Sequence, residues 1–361
     1  MFQLNTHNRF PDCFKLQIAA VSPNVPQHHH LNLTLRFGEQ WQALQQGRIK
    51  WGLKGGELHL KLDSPGLKLR DRPQTFTETL SPTDIPLLLD PPSDEPTWEI
   101  FTPSAYPILQ GEILLSPWVV LHQDAPPQDL QARFTVKPHH VYLTDAENLW
   151  PHSISPNQHA VLDRAIVNFL MEYEFAAPLS LITLASQNPV FNHPSASTAA
   201  SDHLQGQIER ITSAQPDNFL ALAKAAHLDP KTDFAGGNLR GTELNNLDFG
   251  SANLVGVNFR GAELCDCDLS AAQLQQANLR GADLSGAYLA NANLRYSDLQ
   301  RASLALANLA DADLRGANLS QTNLSQTNLS HAAVSGAYFG ENVGLSQEMA
   351  ANLQERGGIF L

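Results

Sequence analysis

The sequence predicts a mainly β protein. Its C-terminal third is a coil that stacks on itself between helical caps. Its N-terminal region is an antiparallel β sandwich or barrel-like domain followed by a short helical segment. Three observations predict this. A Leu, Phe or Val occupies every fifth position from Phe234 to Phe339 without a break. Residues 1–150 hold many short stretches of alternating apolar and polar residues. After Pro156 the apolar spacing becomes helical.

Residues 1–150 form the β-rich domain. Phe14-Lys15-Leu16-Gln17-Ile18 and Leu31-Asn32-Leu33-Thr34-Leu35-Arg36-Phe37 alternate strictly, which turns one face of each to a core. Further strands are expected at 57–62, 75–80, 97–101, 112–121, 131–136 and 141–144. Gly55-Gly56, Ser64-Pro65-Gly66, Pro91-Pro92 and Pro126-Pro127 read as the breakers between strands. Trp98, Phe101, Trp118 and Phe134 are the expected core aromatics.

Residues 151–186 read as a helical segment packed on that domain. The run Ala160-Val161-Leu162-Asp163-Arg164-Ala165-Ile166-Val167-Asn168-Phe169-Leu170 has amphipathic helical spacing, and 179–186 reads as a second short helix. Residues 187–206, with Asn188-Pro189, His193-Pro194 and Ser195-Ala196-Ser197-Thr198-Ala199-Ala200-Ser201, read as a linker.

Residues 207–231 are the N-terminal cap of the repeat. Phe219, Leu222, Ala223 and Ala226 share one helical face, with Asp217 or Asn218 as N-cap. Residues 342–361 are the C-terminal cap. A helix starts near Ser346 and stops at Gly357-Gly358, leaving Phe360 and Leu361 to fold back over the last coil. Caps of this kind cover strand edges that otherwise invite aggregation.

Between the caps, residues 232–341 hold the five-residue period. A helix repeats near 3.6 residues and a strand at 2, so neither explains it. A short fixed period sustained over this length indicates coils stacked on one another. The large apolar residue and the small one two places before it point inward, as alternate strand residues do. The inward set includes Leu239, Leu254, Leu264, Leu279, Leu284, Leu294, Leu309 and Leu314. Cys267 is expected to point in and Cys265 out.

Ala277-Asn278-Leu279-Arg280-Gly281 and Ala317-Asn318-Leu319-Ser320-Gln321 resemble the A-(D/N)-L-x-x units of the pentapeptide-repeat proteins. The resemblance covers about residues 232–341. It implies a right-handed quadrilateral β-helix with four units per coil, and a rod roughly 25 Å long at ~4.8 Å per coil. The stretch 142–162, with Thr144-Asp145-Ala146-Glu147-Asn148-Leu149-Trp150, resembles N-terminal modules of cyanobacterial members, and no activity follows from it.

Four units per coil place residues twenty apart in one column. Arg240, Arg260 and Arg280 share a column, followed by Gln300. Glu243, Glu263 and Asp283 share another, three residues further round. The plainer reading is mutual compensation across a corner, each exposed pair contributing ~0–1 kcal/mol. The alternative is a docking stripe for a charged partner. Asn238, Asn258, Asn278, Asp298 and Asn318 form a third column, whose side chains read as structural coil-to-coil bonds.

The formal net charge is −13, from 23 Lys and Arg against 36 Asp and Glu. A nucleic-acid backbone is therefore not an expected partner. No signal peptide and no membrane-spanning stretch is read in the sequence. Three cysteines make no disulfide framework, and a cytoplasmic location is expected.

No catalytic, cofactor or metal constellation is recognised. His28-His29-His30 precedes a strand, but lacks the further ligands that a structural zinc requires. His139-His140 reads the same way, both as solvated loops. Asp94, Glu95 and Glu99 read as solvated charge around Trp98. Phosphate-binding glycine loops and a nucleophile elbow are missing. The expected function is thus non-catalytic: a protein–protein interaction or scaffold role with a protein partner, using the flat faces of the repeat. Two alternatives are a DNA mimic that inhibits a topoisomerase, as some family members do, and an enzyme or small-ligand binder within the N-terminal domain.

Overall fold

The computed structural model describes residues 4–21, 28–63, 68–69, 75–77, 87–89, 97–101, 108–122, 129–150, 153–184, 196–215 and 217–361. The chain divides into two compact units. The first comprises Met1–Leu44, Arg48–Ala146 and Leu170–Ala196, and the second Gln45–Gly47, Glu147–Phe169 and Ser197–Leu361. Among the described residues no helix is long and apolar enough to cross a membrane.

The first unit is built from short strands. In chain order they are β1 (Leu4–Asn8), β2 (Phe14–Val21), β3 (His28–Phe37), β4 (Glu39–Ala43), β5 (Arg48–Leu53), β6 (Gly55–Asp63), β7 (Lys68–Leu69), β8 (Thr75–Thr77), β9 (Leu87–Leu89), β10 (Thr97–Phe101), β11 (Gly111–His122), β12 (Asp129–Thr135), β13 (Val141–Glu147) and, after helix α1 (Pro156–Tyr173), β14 (Ser180–Leu184). A six-stranded sheet has the order β1-β14-β12-β6-β10-β9, and a second sheet runs β2-β3-β11-β7 with β8 also on β11. A third is β13-β5-β4. These sheets are open, not closed into a barrel. Phe14 of β2 stacks on Phe134 of β12 at 3.9 Å and so joins the two larger sheets. A second aromatic cluster packs Phe10 on Trp51 at 5.3 Å and Phe175 on Trp51 at 4.9 Å.

Several sequence expectations change here. Residues 179–186 do not make a helix. Residues 180–184 form β14, inserted between β1 and β12, where Leu181 and Ile182 are buried. Gly55-Gly56 is not a breaker but the start of β6, with Gly56 opposite Ile100. A Cβ on Gly56 would sit 2.1 Å from Phe134 Cζ, so the strand needs glycine there for the ring to fit. His28-His29-His30 lies inside β3 rather than in a loop. Trp98 and Phe134 are buried. The Phe101 and Trp118 side chains fall outside the described residues, as do Asp94 and Glu95.

In the second unit, α2 (Thr198–Ser213) takes up residues 198–206 of the expected linker, whose residues 187–195 lie outside the described residues. Ser197 caps it by accepting the Ala200 N–H, and Leu204, Ile208 and Ile211 make its buried stripe. Helix α3 (Phe219–Ala225) follows, capped by Asn218. Its Phe219 lies 5.0 Å from Phe234 at the head of the repeat.

Helix α1 through Phe169 groups with this unit, not with the β-sheet unit as expected for 151–186. The cause is a set of polar bonds. Gln158 donates to the Ile211 and Thr212 carbonyls at the end of α2. Asn157 accepts the Glu243 N–H at 3.3 Å. The fully buried Arg164 donates from Nη1 to the Ala235 carbonyl and lies 3.4 Å from Asp163. Burial lowers the Arg164 pKa, and the carboxylates of Asp163 and Asp233 oppose that shift.

From Asn238 to Val343 the repeat is a β-solenoid. Every bridge is parallel and joins residues twenty apart, from Asn238↔Asn258 to Asn323↔Val343, which sets four five-residue units per coil. Leu239, Leu254, Leu264, Leu279, Leu284, Leu294, Leu309 and Leu314 are all fully buried. Every fifth residue turns a corner with positive φ, as at Ala271 (55°), Gln276 (61°) and Gly281 (66°). Cys267 is buried and donates to the Leu244 carbonyl, whereas Cys265 is partly exposed.

Helix α4 (Gln347–Glu355) caps the far end, with Ser346 accepting the Met349 N–H. The last strands, β15 (Tyr338–Phe339) and β16 (Ile359–Phe360), pair in parallel, and Phe360 stacks on Phe339 at 5.2 Å.

Candidate functional site: an arginine column on the solenoid

The column begins with the asparagines beneath it. Asn258 Oδ1 accepts the Arg260 N–H and Asn278 Oδ1 accepts the Arg280 N–H, each at 3.2 Å. Such side-chain turns fix the backbone of a corner. Asn258 also donates to Asn238 at 2.9 Å, and Asn318 to Asp298 at 3.2 Å. The asparagine column therefore serves two ends, tying coil to coil and holding Arg260 and Arg280 at the same point of their coils.

With the backbone fixed, Arg240, Arg260 and Arg280 project outward in line. Together with Gly241, Gly261, Gly281 and Arg301 they line one groove of about 360 Å³. The three glycines have φ between 65° and 67°, and nothing lies within 4 Å of where a Cβ would stand. The groove floor is thus bare backbone. Arg301 closes one end, its Nε held by Gln321 Oε1 at 2.8 Å. Arg240 also lines an adjoining cavity of about 270 Å³ with Ile154, Ser155, Pro156, His159 and Asn238.

Compensation across the corner does not occur. Among the described residues, the Arg240, Arg260 and Arg280 side chains have neither a hydrogen bond nor an ion pair. Two members of the acidic column, Glu263 and Asp283, bond elsewhere. Glu263 accepts from Asn245 at 3.0 Å. Asp283 accepts from the Ser285 N–H at 3.0 Å and its hydroxyl at 2.6 Å. Burial raises the Asp283 pKa, but the Ser285 bonds outweigh it and the net shift is downward. Asp283 and burial together push the Cys265 thiol up to about 11, with burial the larger cause. Ion pairs recorded on the repeat lie elsewhere, between Arg315 and Asp313 at 2.5 Å and between Lys231 and Asp248 at 2.9 Å.

A second polar cluster, in the first unit, was not legible in the sequence. Glu99 on β10 meets His139 and His140 from the turn Pro138–His140, at 3.8 Å and 3.6 Å. Neither histidine is on an open loop, since His140 is buried. Glu99 pairs across the sheet with Glu57, which in turn meets Lys137 and His59. The two imidazoles, His139 first, lower the Glu99 pKa. Burial lowers His140 to about 4, and Glu99 opposes that shift. The ligand atoms of Glu99, His139 and His140 lie within 4.8 Å of one another, the spacing of a metal site. His140 Nδ1 accepts the Lys137 N–H at 3.0 Å, which leaves the imidazole proton on Nε2, the atom facing Glu99. A metal-bound imidazole normally donates from its other nitrogen. The tautomer that the Lys137 N–H imposes suits close charge contacts with Glu99 rather than a metal on His140 Nε2.

The sequence profile described as "Pentapeptide repeats" matches eight copies, over residues 232–270, 267–305 and 307–341. The chain belongs to the pentapeptide-repeat family. It is 32% identical to the pentapeptide-repeat protein Rfr23 from the cyanobacterium Cyanothece 51142, over 29% of this chain and 86% of that one, with a TM-score of 0.17. It is 34% identical to the pentapeptide-repeat protein alr5209 from Nostoc PCC 7120, over 27% and 84%, with a TM-score of 0.19. It is 19% identical to QnrB1, a plasmid-mediated fluoroquinolone resistance protein, over 35% and 90%, with a TM-score of 0.19. No curated protein matches the chain.

Proposed function

We propose that this pentapeptide-repeat protein is a non-catalytic binding protein, and that its solenoid presents the Arg240–Arg260–Arg280 column to a protein partner. The observation that carries this is the column itself: three aligned guanidinium groups that no carboxylate among the described residues pairs, although an acidic column runs three residues away. Guanidinium groups stay charged and present a fixed fork of donors to a carboxylate. The groove also lacks the pairing of nucleophile and base that covalent or proton-transfer catalysis needs. We read the rod as a right-handed coil with four flat faces, rigid enough to hold the column in line. Positive charge aligned on one face runs against mimicry of a DNA duplex.

The test is affinity capture from native lysate with the full chain and with the triple variant Arg240→Glu, Arg260→Glu, Arg280→Glu. Stoichiometric partners held by the wild type and lost by the variant are expected. Equal capture by both would overturn the assignment of the column.

A further inference from the structure

We infer that the arginine groove takes an extended acidic peptide, a run of Asp or Glu residues from the partner, lying along the solenoid axis. This rests on the docking reading above and names the chemistry of what docks.

Charge sets the sign of the guest. The groove is lined by Arg240, Arg260, Arg280 and Arg301, and by glycines between them. No carboxylate is among these lining residues, in a chain whose net charge is −13. Length sets its size. Successive coils are ~4.8 Å apart, so four coils span about 15 Å. An extended chain advances ~3.3 Å per residue, which makes the guest four or five residues long.

Width and floor select a peptide over a nucleic acid. Glu243, Glu263 and Asp283 are exposed and lie three residues round from each arginine. A duplex broad enough to reach past the groove would bring phosphates against that acidic column. Single-stranded nucleic acid binds through aromatic stacking beside a basic track, and the lining residues include no aromatic ring. The floor at Gly241, Gly261 and Gly281 admits a guest backbone close to the coil. At other corners glycine alternates with larger residues: Gly256, Gly286 and Gly316 hold the same position, and so do Gln276, Tyr296, Gln321 and Gln326, all with positive φ, but only in this column do three glycines lie beside the arginines. A peptide backbone is narrow enough to use that bare floor, and its carboxylates reach the guanidinium groups on one side.

The corner also supplies a clean test. Because Gln stands at positions 276, 321 and 326 in the same conformation, Gly261→Gln keeps a geometry the chain already uses, while it fills the groove floor. A fluorescein-labelled hexaglutamate peptide is titrated with the full-length protein in 0.15 M salt and read by anisotropy. Saturable binding is expected, at least tenfold tighter than that of a labelled hexathymidylate. Arg260→Glu and Gly261→Gln should each weaken it at least tenfold. Arg315→Glu, at a residue that does not line the groove, should leave it unchanged. Thermal melts confirm that each variant is folded, and Arg280→Ser substitutes for any that is not. No saturable hexaglutamate binding, tighter hexathymidylate binding, or full affinity in Gly261→Gln would each overturn the inference. Arg-dependent capture from lysate without hexaglutamate binding would remove the acidic peptide and leave the docking reading standing. Hexaglutamate binding with Arg-independent capture would do the reverse.

Discussion

The two units bury their cores by opposite routes. In the solenoid each five-residue unit bridges to the unit twenty places on, so one spacing fixes the whole register. In the β-sheet unit, β1 at the start of the chain pairs with β14 more than 170 residues later, and β6 lies between β10 and β12. Repetition lets a coil bury its leucines from local rules, whereas the open sheets depend on contacts that no local rule states. Two kinds of weakness follow. The solenoid is vulnerable at any inward position, and the sheet unit at the few places where distant strands press together.

The sharpest way to break the solenoid is Leu284→Asp. It buries a carboxylate without a partner in a fully buried position, and a loss of about 5 kcal/mol or more is expected, seen as collapse of the cooperative far-UV melt. The matching lesion in the sheet unit is Gly56→Val, because the new Cβ meets the Phe134 ring. Overpacking of this kind costs about 2–3 kcal/mol, read as a lower urea midpoint. Retention of the wild-type midpoint would show that Phe134 moves aside freely.

Acid should separate the units more gently. The His140 pKa is lowered by burial, to about 4, below its ordinary value near 6.5. The unfolded chain therefore takes up a proton first as pH falls, and stability is lost between about pH 6.5 and 4, by at most ~3 kcal/mol. Glu99 has a lowered pKa, so its contribution is present above the ordinary carboxylate range and is lost only at lower pH. Urea midpoints measured across that range should slope in the wild type, and the upper part of the slope should flatten in His140→Gln. The smallest effect belongs to Arg280→Ala. Its side chain has no partner among the described residues, so the melting temperature should move by less than about 1 °C. A large shift would mean that the column holds the rod together.

The same contrast explains what the sequence disclosed. The five-residue frame, the inward leucines and the arginine column were all legible, since each is a fixed offset. The absence of pairing at the corner was not, because it depends on Asn245 and Ser285 drawing Glu263 and Asp283 away. In the sheet unit, the apolar run around Leu181 and Ile182 suits a short helix or a buried strand equally, and only insertion between β1 and β12 decides it. The start of α2 looks like a linker because Ser and Ala dominate it, although the spacing of Leu204, Ile208 and Ile211 carried a helical signal. Glu99 and His140 lie 41 positions apart, and no spacing links them.

Because four five-residue units complete a coil, sequence length acts on this surface as an angle. One extra unit inserted between Gly261 and Arg280 would leave every downstream leucine facing inward, yet turn all that follows by a quarter revolution. Arg280 would leave its line while the core stayed filled. An insertion of twenty residues would bring it back, one storey higher. The rod thus separates what it displays from what holds it up, and recognition in such a protein can be gained, lost or re-aimed in whole steps without renegotiating the fold.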